Sequence, residues 1–265
     1  MKKTIILLIV CAFLIGYPLS NFSAVINENY TVQVSTDEGV SFINKMEQLD
    51  ISEAESFVNE AEKIRNYVSD TAGSARVAQI LYKLETGKTT YKKVYKDVYF
   101  MGDSLVNGLE SYGILNEKKI YSKVSASLYH LEENYKKVIK KEPKVIILHY
   151  GLNALGYTEE ALNGYVKMYS KYIKKMKKKL PGTRIIVSSI FPVDRKVAKN
   201  KLFKRIKVYN KAMKKMCNDV GVDYLDNNPL FKEIEYCYGR DGIHLPEFFY
   251  RDYWLKYIIE EMEIV

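Results

Sequence analysis

Apolar and polar positions follow an alternating plan from Val94 onward. Short apolar runs are separated by longer stretches in which apolar residues recur at helical spacing. Four of the five runs are short and apolar, which is typical of strands buried on both faces. The predicted strands are Val94–Met101, Lys119–Val124, Lys144–Tyr150, Arg184–Ile190 and Val222–Leu225. Strands that alternate with helices predict an α/β fold of three layers, with a mostly parallel five-stranded sheet between helices.

The predicted helices have one apolar and one charged face. Between the third and fourth strands the apolar positions are Val166, Tyr169, Ile173, Met176 and Leu180. The lysines between them are therefore expected to form the solvated face of a helix. A further helix is predicted from about Leu202 to Val220, because Gly221 is a typical helix end. A last helix is predicted after Pro246.

The first 25 residues have a different pattern. Lys2 and Lys3 precede an apolar run from Ile5 to about Leu19, which is the layout of a secretory signal. The run is shorter than the roughly 20 apolar residues that span a bilayer, and no Ala-x-Ala cleavage site follows it. We therefore expect an extracytoplasmic protein, with residues 1–25 acting either as a signal peptide or as a signal anchor. The protein would be secreted or held at the membrane by this segment alone.

Residues 26–93 are predicted to be a polar linker followed by a helical extension. Ser52 and Glu55 resemble a capping box that opens one helix, and a second helical piece runs from about Ala75 to Glu85. The stretch from Ile26 to Thr90 contains 11 acidic and 6 basic residues, although the whole chain has a net charge of +9. The extension could pack on the main domain, residues 94–265, or act as a spacer from the membrane.

Composition limits the class of protein. A chain of 265 residues that is 47% hydrophobic can bury a sizeable core, so it is not a disordered protein. The excess of lysine could draw an exported domain to anionic wall polymers or lipid headgroups. A solvated helix face is the simpler explanation for the lysines. No basic-aromatic pattern of a nucleic-acid groove is present, so we expect no nucleic-acid partner.

The cysteines give little further information. Cys11 lies in the first apolar run, which leaves Cys217 and Cys237 in the folded part of the chain. Export permits a disulfide between them, but spacing does not establish one. Two isolated cysteines exclude a cysteine-rich metal framework.

Candidate chemistry follows the ends of the predicted strands, where ligands bind in open parallel sheets. In "VYFMGDSLVNGLESYG" an apolar strand stops at Gly102, and a helical pattern begins after Ser104. "SAS" follows the second strand and "GLNAL" the third, and "DGIH" lies in a later loop. These four loops are expected at one edge of the sheet.

Three of these loops contain residues suited to acyl transfer. Asp241 and His244 could form the carboxylate-oriented base that a serine hydroxyl needs to become a nucleophile. Asn153 offers an amide donor for a developing oxyanion, and Gly151 permits a tight turn before it. Each motif alone also has a structural explanation, because Ser, Asp and Asn are common in turns and helix caps.

Together and in this order, the motifs Gly-Asp-Ser, Gly-x-Asn and Asp-x-x-His resemble those of the SGNH/GDSL hydrolases, a family of GDSL-like lipases, acylhydrolases and esterases. The resemblance covers about Val94–Met262 and includes "LPGTRIIVSSIFPV", which looks like the family's strand and Pro-containing loop. It implies a flavodoxin-like SGNH hydrolase fold. It also implies Ser104 as the nucleophile, His244 as the general base and Asp241 as its orienting carboxylate.

The resemblance further implies an oxyanion hole formed by the backbone N–H groups of Ser104 and Ser125 and the side chain of Asn153. Gly102, Asp103 and Gly151 would support the site. Ser125 is a departure, because the family usually has glycine there, and its backbone donor survives only if the local backbone suits a residue with a Cβ. Ala154 is a second departure, at a position that is often acidic.

We therefore expect an exported serine esterase that cleaves O-acyl, in particular O-acetyl, groups of carbohydrate or cell-envelope material. Neither a metal nor an organic cofactor is required by this mechanism. An O-acyltransferase with the same triad and a non-catalytic envelope-binding module remain alternatives, and the oligomeric state is left open. His130 and His149 are expected to be structural, although either could approach the cleft.

Overall fold

The computed structural model describes residues 73–233 and 238–264. The predicted signal segment, the capping box at Ser52 and Glu55, and Cys237 lie outside these residues. Within the two ranges, no helix combines the length and the apolar character that a membrane crossing requires. All of these residues except 73–75 belong to a compact unit that extends from Arg76 to Val265.

Five parallel strands form one sheet in the order β2-β1-β3-β4-β5. They are β1 Val98–Gly102, β2 Ile120–Ser122, β3 Val145–His149, β4 Arg184–Ser188 and β5 Asp223–Leu225. All five predicted strands are confirmed, and so is the α/β class. The predicted start of β1 at Val94 was wrong, because the N–H groups of Lys93 and Val94 both donate to the carbonyl of Thr90 and form a helical turn.

Helices cover both faces of the sheet. On one side α4 (Leu128–Val138), α5 (Glu159–Lys179) and α6 (Ile206–Val220) pack over a shared apolar core. On the other side lie α1 (residues 73–85), α2 (Tyr91–Val94), α3 (Ser104–Ser111), α7 (Leu230–Glu233) and α8 (Leu255–Met262), with a π-helical segment Phe249–Trp254 leading into α8. The three-layer arrangement is therefore the one that the sequence predicts.

Alternate residues of each strand enter the two cores. In β1, Val98 and Phe100 pack on the α3 side, whereas Tyr99 and Met101 pack on the α5 side. All five residues of β1 are buried, because the sheet has no solvent-facing side at this strand. The apolar run that predicted this strand thus reflects burial on both faces.

The C-terminal ends of two predicted helices are observed, whereas their starts differ. Thr158 caps α5 by accepting a hydrogen bond from the N–H of Ala161 at 3.2 Å, so this helix begins before Val166, the first of its predicted apolar positions. Helix α6 begins at Ile206, and the predicted residues before it form a short 3₁₀ helix, Phe203–Arg205. Gly221 ends α6 with φ of +65°, a left-handed conformation that glycine adopts without steric cost.

The described part of the helical extension packs on the main domain, which was one of the two alternatives. Val77 of α1 is buried in the same core as α3 and α8. The hydroxyl of Tyr91 donates to the carbonyl of Arg251, and Lys256 pairs with Glu85 at 3.1 Å. The expected domain start at Val94 therefore falls inside the compact unit.

Cys217 is a free, buried thiol on α6. Burial, with a smaller contribution from Asp223, raises the pKa of this thiol to about 12. The side chain is consequently neutral and behaves as a small apolar group in the core.

Candidate active site

Gly102 lets the first strand and the helix after it approach closely. A Cβ at this position would lie 2.6 Å from the carbonyl oxygen of His149 and 2.2 Å from Cγ2 of Val106. Both contacts are too short for any side chain, so only glycine fits between β3 and α3. The chain then turns through Asp103, and Ser104 becomes the first residue of α3. This turn holds a half-buried serine at the edge of the sheet.

Asp103 caps the helix that begins at Ser104. Its Oδ1 accepts a hydrogen bond from the N–H of Leu105 at 3.0 Å, and its Oδ2 is buried without a hydrogen-bond partner. Burial raises the pKa of Asp103 to about 6, against smaller opposing effects of the Leu105 hydrogen bond and the nearby His244. A buried, half-satisfied carboxyl group therefore lies directly before the candidate nucleophile.

Ser104, His244 and Asp241 form one hydrogen-bonded series. His244 Nε2 lies 3.0 Å from Ser104 Oγ, and His244 Nδ1 lies 2.5 Å from Asp241 Oδ2. A carboxylate can only accept, so Nδ1 carries the proton of a neutral imidazole and Nε2 is left to accept from the serine hydroxyl. This is the geometry that activates a serine nucleophile.

The carboxyl group of Asp241 is ionised at neutral pH. Burial would raise its pKa, but hydrogen bonds from the His244 side chain and from the N–H groups of Ile243 and His244 outweigh burial and lower it to about 2. Both backbone donors lie 2.9 Å from Oδ1. The second oxygen is thereby free to orient the imidazole.

The loop that contains the pair is fastened at both ends. Gly239 N–H donates to the carbonyl of His244 at 2.7 Å, and Asp194 N–H donates to the carbonyl of Gly242 at 2.8 Å. On its other side the hydroxyl of Tyr112, next to α3, donates to the carbonyl of Leu245 at 3.2 Å. Contacts from the loop after β4 and from the end of α3 thus position the base relative to Ser104.

The loops after β2 and β3 meet beside the serine. Lys123 N–H donates to the carbonyl of Gly102 at 3.3 Å, which joins the β2 loop to the end of β1. Asn153 Nδ2 donates to the carbonyl of Ala126 at 3.3 Å, which joins the β3 loop to the β2 loop. One amide hydrogen of Asn153 makes this bond, and the second remains available as a donor.

Ser125 has φ of +58°, in the left-handed region that favours glycine. The position therefore has the backbone conformation of a glycine site, and the serine adopts it. Gly151, at the start of the β3 loop, has φ of +149°, and a Cβ there would lie 2.5 Å from Ile190. The predicted supporting residues Gly102, Asp103 and Gly151 thus lie at the ends of β1 and β3, and Ser125 lies in the loop after β2.

The two other histidines have structural contacts. His130 lies on α4, where its Nδ1 accepts from the N–H of Ser127 at 3.2 Å and completes a capping box. His149 is buried, with its ring 4.2 Å from that of Phe191. Burial lowers the pKa of His149 to about 3, so this imidazole is neutral at ordinary pH.

A buried polar network below the site was missed by sequence reasoning. His149 Nδ1 lies 3.1 Å from Ser188 Oγ, which accepts from Asn227 Nδ2 at 2.8 Å. Asn227 Oδ1 in turn accepts from the indole of Trp254 at 3.2 Å. The available signal was the polar residues directly after apolar strands, as in "IIVSS" and "YLDNN". The network joins the ends of β3, β4 and β5 to the segment that leads into α8.

The family model of the GDSL-like lipase/acylhydrolase family matches residues 100–251. This range contains Ser104, Asp241 and His244 and more than half of the chain. The chain belongs to the GDSL-like lipase/acylhydrolase family, and it is a carboxylic ester hydrolase of that type. No curated protein sequence matches the chain at a significant level.

Solved structures of low sequence identity share the fold. One is a protein from Parabacteroides merdae assigned as a GDSL-like lipase, with 16% identity, a TM-score of 0.51, and coverage of 63% of this chain and 95% of that chain. Another is a variant of an acetyl-xylooligosaccharide esterase from Geobacillus stearothermophilus, with 15% identity, a TM-score of 0.50, and coverage of 62% and 93%. At these identities the similarity describes the fold.

Proposed function

We propose that this chain is an exported serine esterase that removes small O-acyl groups, in the first place O-acetyl, from carbohydrate or cell-envelope material. The observation that carries the proposal is the hydrogen-bonded series from Ser104 through His244 to Asp241. It supplies a nucleophile, a base and an orienting carboxylate within a family of acylhydrolases.

In the first half of the reaction, Ser104 Oγ attacks the ester carbonyl carbon while its proton passes to His244 Nε2. The imidazolium that forms is stabilised by the ionised Asp241. The new Oγ–C bond converts the carbonyl oxygen into an oxyanion. Donors fixed at the loops after β1, β2 and β3 would receive this charge: the N–H groups of Ser104 and Ser125 and the free amide hydrogen of Asn153.

Collapse of the tetrahedral intermediate breaks the bond to the alcohol, which takes the proton from His244. An acyl group then remains on Ser104. In the second half, a water molecule gives its proton to His244 and attacks the acyl carbon. The bond between that carbon and Ser104 Oγ then breaks, Oγ takes the proton back from His244, and the carboxylic acid is released. Every step uses the same two contacts, that of Ser104 with His244 and that of His244 with Asp241.

The exposure of the site supports an acyl group carried by a large molecule. The side chains of His244 and Asp241 are 51% and 49% exposed. A deep apolar tunnel for a long acyl chain would bury such groups, whereas a polymer can approach an open edge. The shared fold with an acetyl-xylooligosaccharide esterase makes acetylated glycans the first substrates to test.

The setting is proposed from the N-terminal sequence. Lys2 and Lys3 before the apolar run of residues 5–19 have the layout of an export signal. We infer that the catalytic domain acts outside the cytoplasm, where envelope glycans are its accessible ester substrates.

The test is hydrolysis of p-nitrophenyl acetate by the full chain and its Ser104→Ala and His244→Ala variants. Each variant is expected to lose activity by at least about 10³-fold while remaining folded by circular dichroism. Ser111→Ala, on the exposed end of the same helix, serves as the control and should keep the parent rate. Full activity of Ser104→Ala would show that the nucleophile is another residue.

The same proteins, incubated with an acetylated xylan oligosaccharide and a free sugar acceptor, separate hydrolysis from transfer. Release of acetate is expected from the parent and not from Ser104→Ala. Acetyl groups that move to the acceptor in preference to water would replace the esterase assignment with an O-acyltransferase, because the two reactions differ only in the second attacking hydroxyl.

A further inference from the structure

A wide groove lies between α4 and α5. Its volume is about 1240 Å³. One wall follows α4 from Tyr129 to the 3₁₀ helix Ile139–Lys141, and the other is the last part of α5 from Lys175 to Lys179. Tyr121 of β2 also lines the groove, and no residue of the candidate active site does.

Lysine dominates the walls of this groove, which we call the lysine groove. From α4 and the 3₁₀ helix after it come Lys136, Lys137, Lys140 and Lys141. From the end of α5 come Lys175, Lys178 and Lys179. Only two acidic residues, Glu132 and Glu133, line the described part of the groove, so its lining has a formal charge of +5.

Most of this charge is not neutralised within the described ranges. Glu132 accepts from the hydroxyl of Tyr172 at 2.9 Å and pairs with Lys175 at 3.5 Å. The other six lysines have no ion-pair partner among the residues that the structure describes. Concentrated positive charge beside low-dielectric helical walls attracts anions. The lysines also repel one another, and this repulsion destabilises the domain unless a bound anion neutralises the charge.

The shape and the other side chains indicate what kind of anion fits. Tyr121, Tyr129 and Tyr135 lie among the lysines and add hydroxyl donors beside the ammonium groups. A concave groove accommodates a linear chain, whereas a flat bilayer surface would contact only its rims. We propose that the lysine groove binds a linear polyanion with repeating phosphodiester units.

A polymer bound in the lysine groove would hold the domain through side chains that take no part in the proposed reaction. The proposal does not depend on the esterase assignment, since none of its residues belongs to the candidate active site.

The experiment measures binding of the full chain to fluorescent poly(glycerol phosphate) by anisotropy at several salt concentrations. The test protein combines Lys136→Gln, Lys140→Gln and Lys178→Gln. The control combines Lys207→Gln, Lys211→Gln and Lys214→Gln, three exposed lysines of α6 outside the groove. Both triple variants lose the same charge, and glutamine has a helix propensity similar to that of lysine.

The groove variant is expected to bind at least about 10-fold more weakly, and the slope of log Kd against log salt should fall by about two, because three phosphate contacts are lost. The α6 variant should bind like the parent, and both should hydrolyse p-nitrophenyl acetate at the parent rate. A parent that hydrolyses no ester but binds the polymer in this way would contradict the proposed function and leave the groove proposal standing.

Three results would overturn the proposal. The first is that the parent does not bind the polymer at low salt. The second is that the α6 variant weakens binding as much as the groove variant, which would assign the effect to net charge. The third is a groove-dependent preference for anionic phospholipid vesicles, which would identify a membrane surface as the partner.

Discussion

Ser125 occupies a conformation that a residue with a Cβ adopts at a cost. Its φ of +58° lies in the left-handed region, where a side chain crowds the backbone carbonyl and costs about 1 kcal/mol. The loop retains this geometry because its neighbours are fastened, with the carbonyl of Ala126 accepting from Asn153. The departure from glycine therefore leaves the direction of the backbone N–H intact.

Substitution of Ser125 should separate backbone geometry from side-chain chemistry. Ser125→Gly is expected to keep the parent kcat and to be equally stable or up to about 1 kcal/mol more stable. Ser125→Val should lower both kcat and Tm, because a β-branched residue disfavours positive φ. Glu142, with φ of +45° in a remote loop, is the matched control: Glu142→Val should lower Tm without changing kcat. An unchanged kcat in Ser125→Val would remove this N–H from the oxyanion hole.

Asn153 is expected to act through its amide donor. Asn153→Ala should reduce kcat on p-nitrophenyl acetate by about 10²- to 10³-fold with little change in KM, because an oxyanion forms only in the transition state. Asn163→Ala, at an exposed position of α5, should have no effect. A rise in KM at constant kcat would instead indicate a role in binding the ground state.

Asp103 should make stability depend on pH. The pKa of this buried carboxyl group is raised from 3.8 to about 6, so the folded state holds its proton more tightly than the unfolded state. Its contribution to the free energy of unfolding is therefore present at low pH and is lost as pH rises through about 6. Between pH 4.5 and 7.5 the loss amounts to about 2 kcal/mol.

The measurement is urea unfolding of the parent and of Asp103→Asn at both pH values. Asparagine does not titrate but can still accept the hydrogen bond from Leu105. The stability of the variant relative to the parent should accordingly rise by about 2 kcal/mol between pH 4.5 and 7.5. A difference that does not change with pH would mean that Asp103 has an ordinary pKa.

At the scale of elements, the position of α3 depends on close approach to its neighbours. Gly108 faces the π-helical segment Phe249–Trp254, and a Cβ there would lie 2.3 Å from the ring of Tyr250. This contact ties the helix that begins with Ser104 to the segment that follows His244. The packing of two elements thus supports the 3.0 Å contact between the side chains of Ser104 and His244.

Two glycine-to-alanine substitutions should therefore have opposite effects on the free energy of unfolding. Gly108→Ala is expected to reduce the free energy of unfolding by about 1 to 3 kcal/mol through overpacking against Tyr250. Gly164→Ala, on the open face of α5 with no atom within 4 Å, should increase it by about 0.5 to 1 kcal/mol. Chemical denaturation of both variants provides the comparison, and stabilisation by both would show that α3 has room to move.

Elements with a strong local signal could be predicted from the sequence. The strand Val145–His149 is a continuous apolar run because both faces are covered, and Gly221 ends α6 because only its local φ matters. The residues of the candidate site could be predicted because each lies in a short motif and the motifs follow one another in a characteristic order along the chain. The sign of φ at Ser125 could not, since it is set by the surrounding loops.

At the scale of the whole molecule, contacts between distant segments decide what the local pattern cannot. Val77 of α1 is buried against elements that lie more than 100 residues later, and Tyr95 donates to the carbonyl of Leu255, 160 residues away. Likewise, nothing near His149 in the sequence indicates its contact with Ser188. Such pairings arise only when the sheet is assembled, so the local pattern does not indicate them.

Helix α1 should therefore contribute to the stability of the catalytic domain. A chain that begins at Val94 is expected to unfold with a free energy at least about 2 kcal/mol lower than one that begins at Gly73, because burial of Val77 and its apolar neighbours is lost. Urea unfolding monitored by tryptophan fluorescence measures the difference through Trp254, the single tryptophan. Equal stability would identify α1 as dispensable for folding.

The separation of Ser104 and His244 by 140 residues also has a consequence for synthesis. A growing chain presents the serine early, and β5 completes the sheet at Leu225, before the histidine has been added. Domains can gain structure from the N-terminal side while translation continues. The π-helical segment and α8, which complete the core on the α3 side, follow the histidine in the chain. A polypeptide that ends before Gly239 therefore lacks both the base and a complete core. The order of residues along the chain makes completion of the core and completion of the reactive arrangement two late events of the same stage of synthesis.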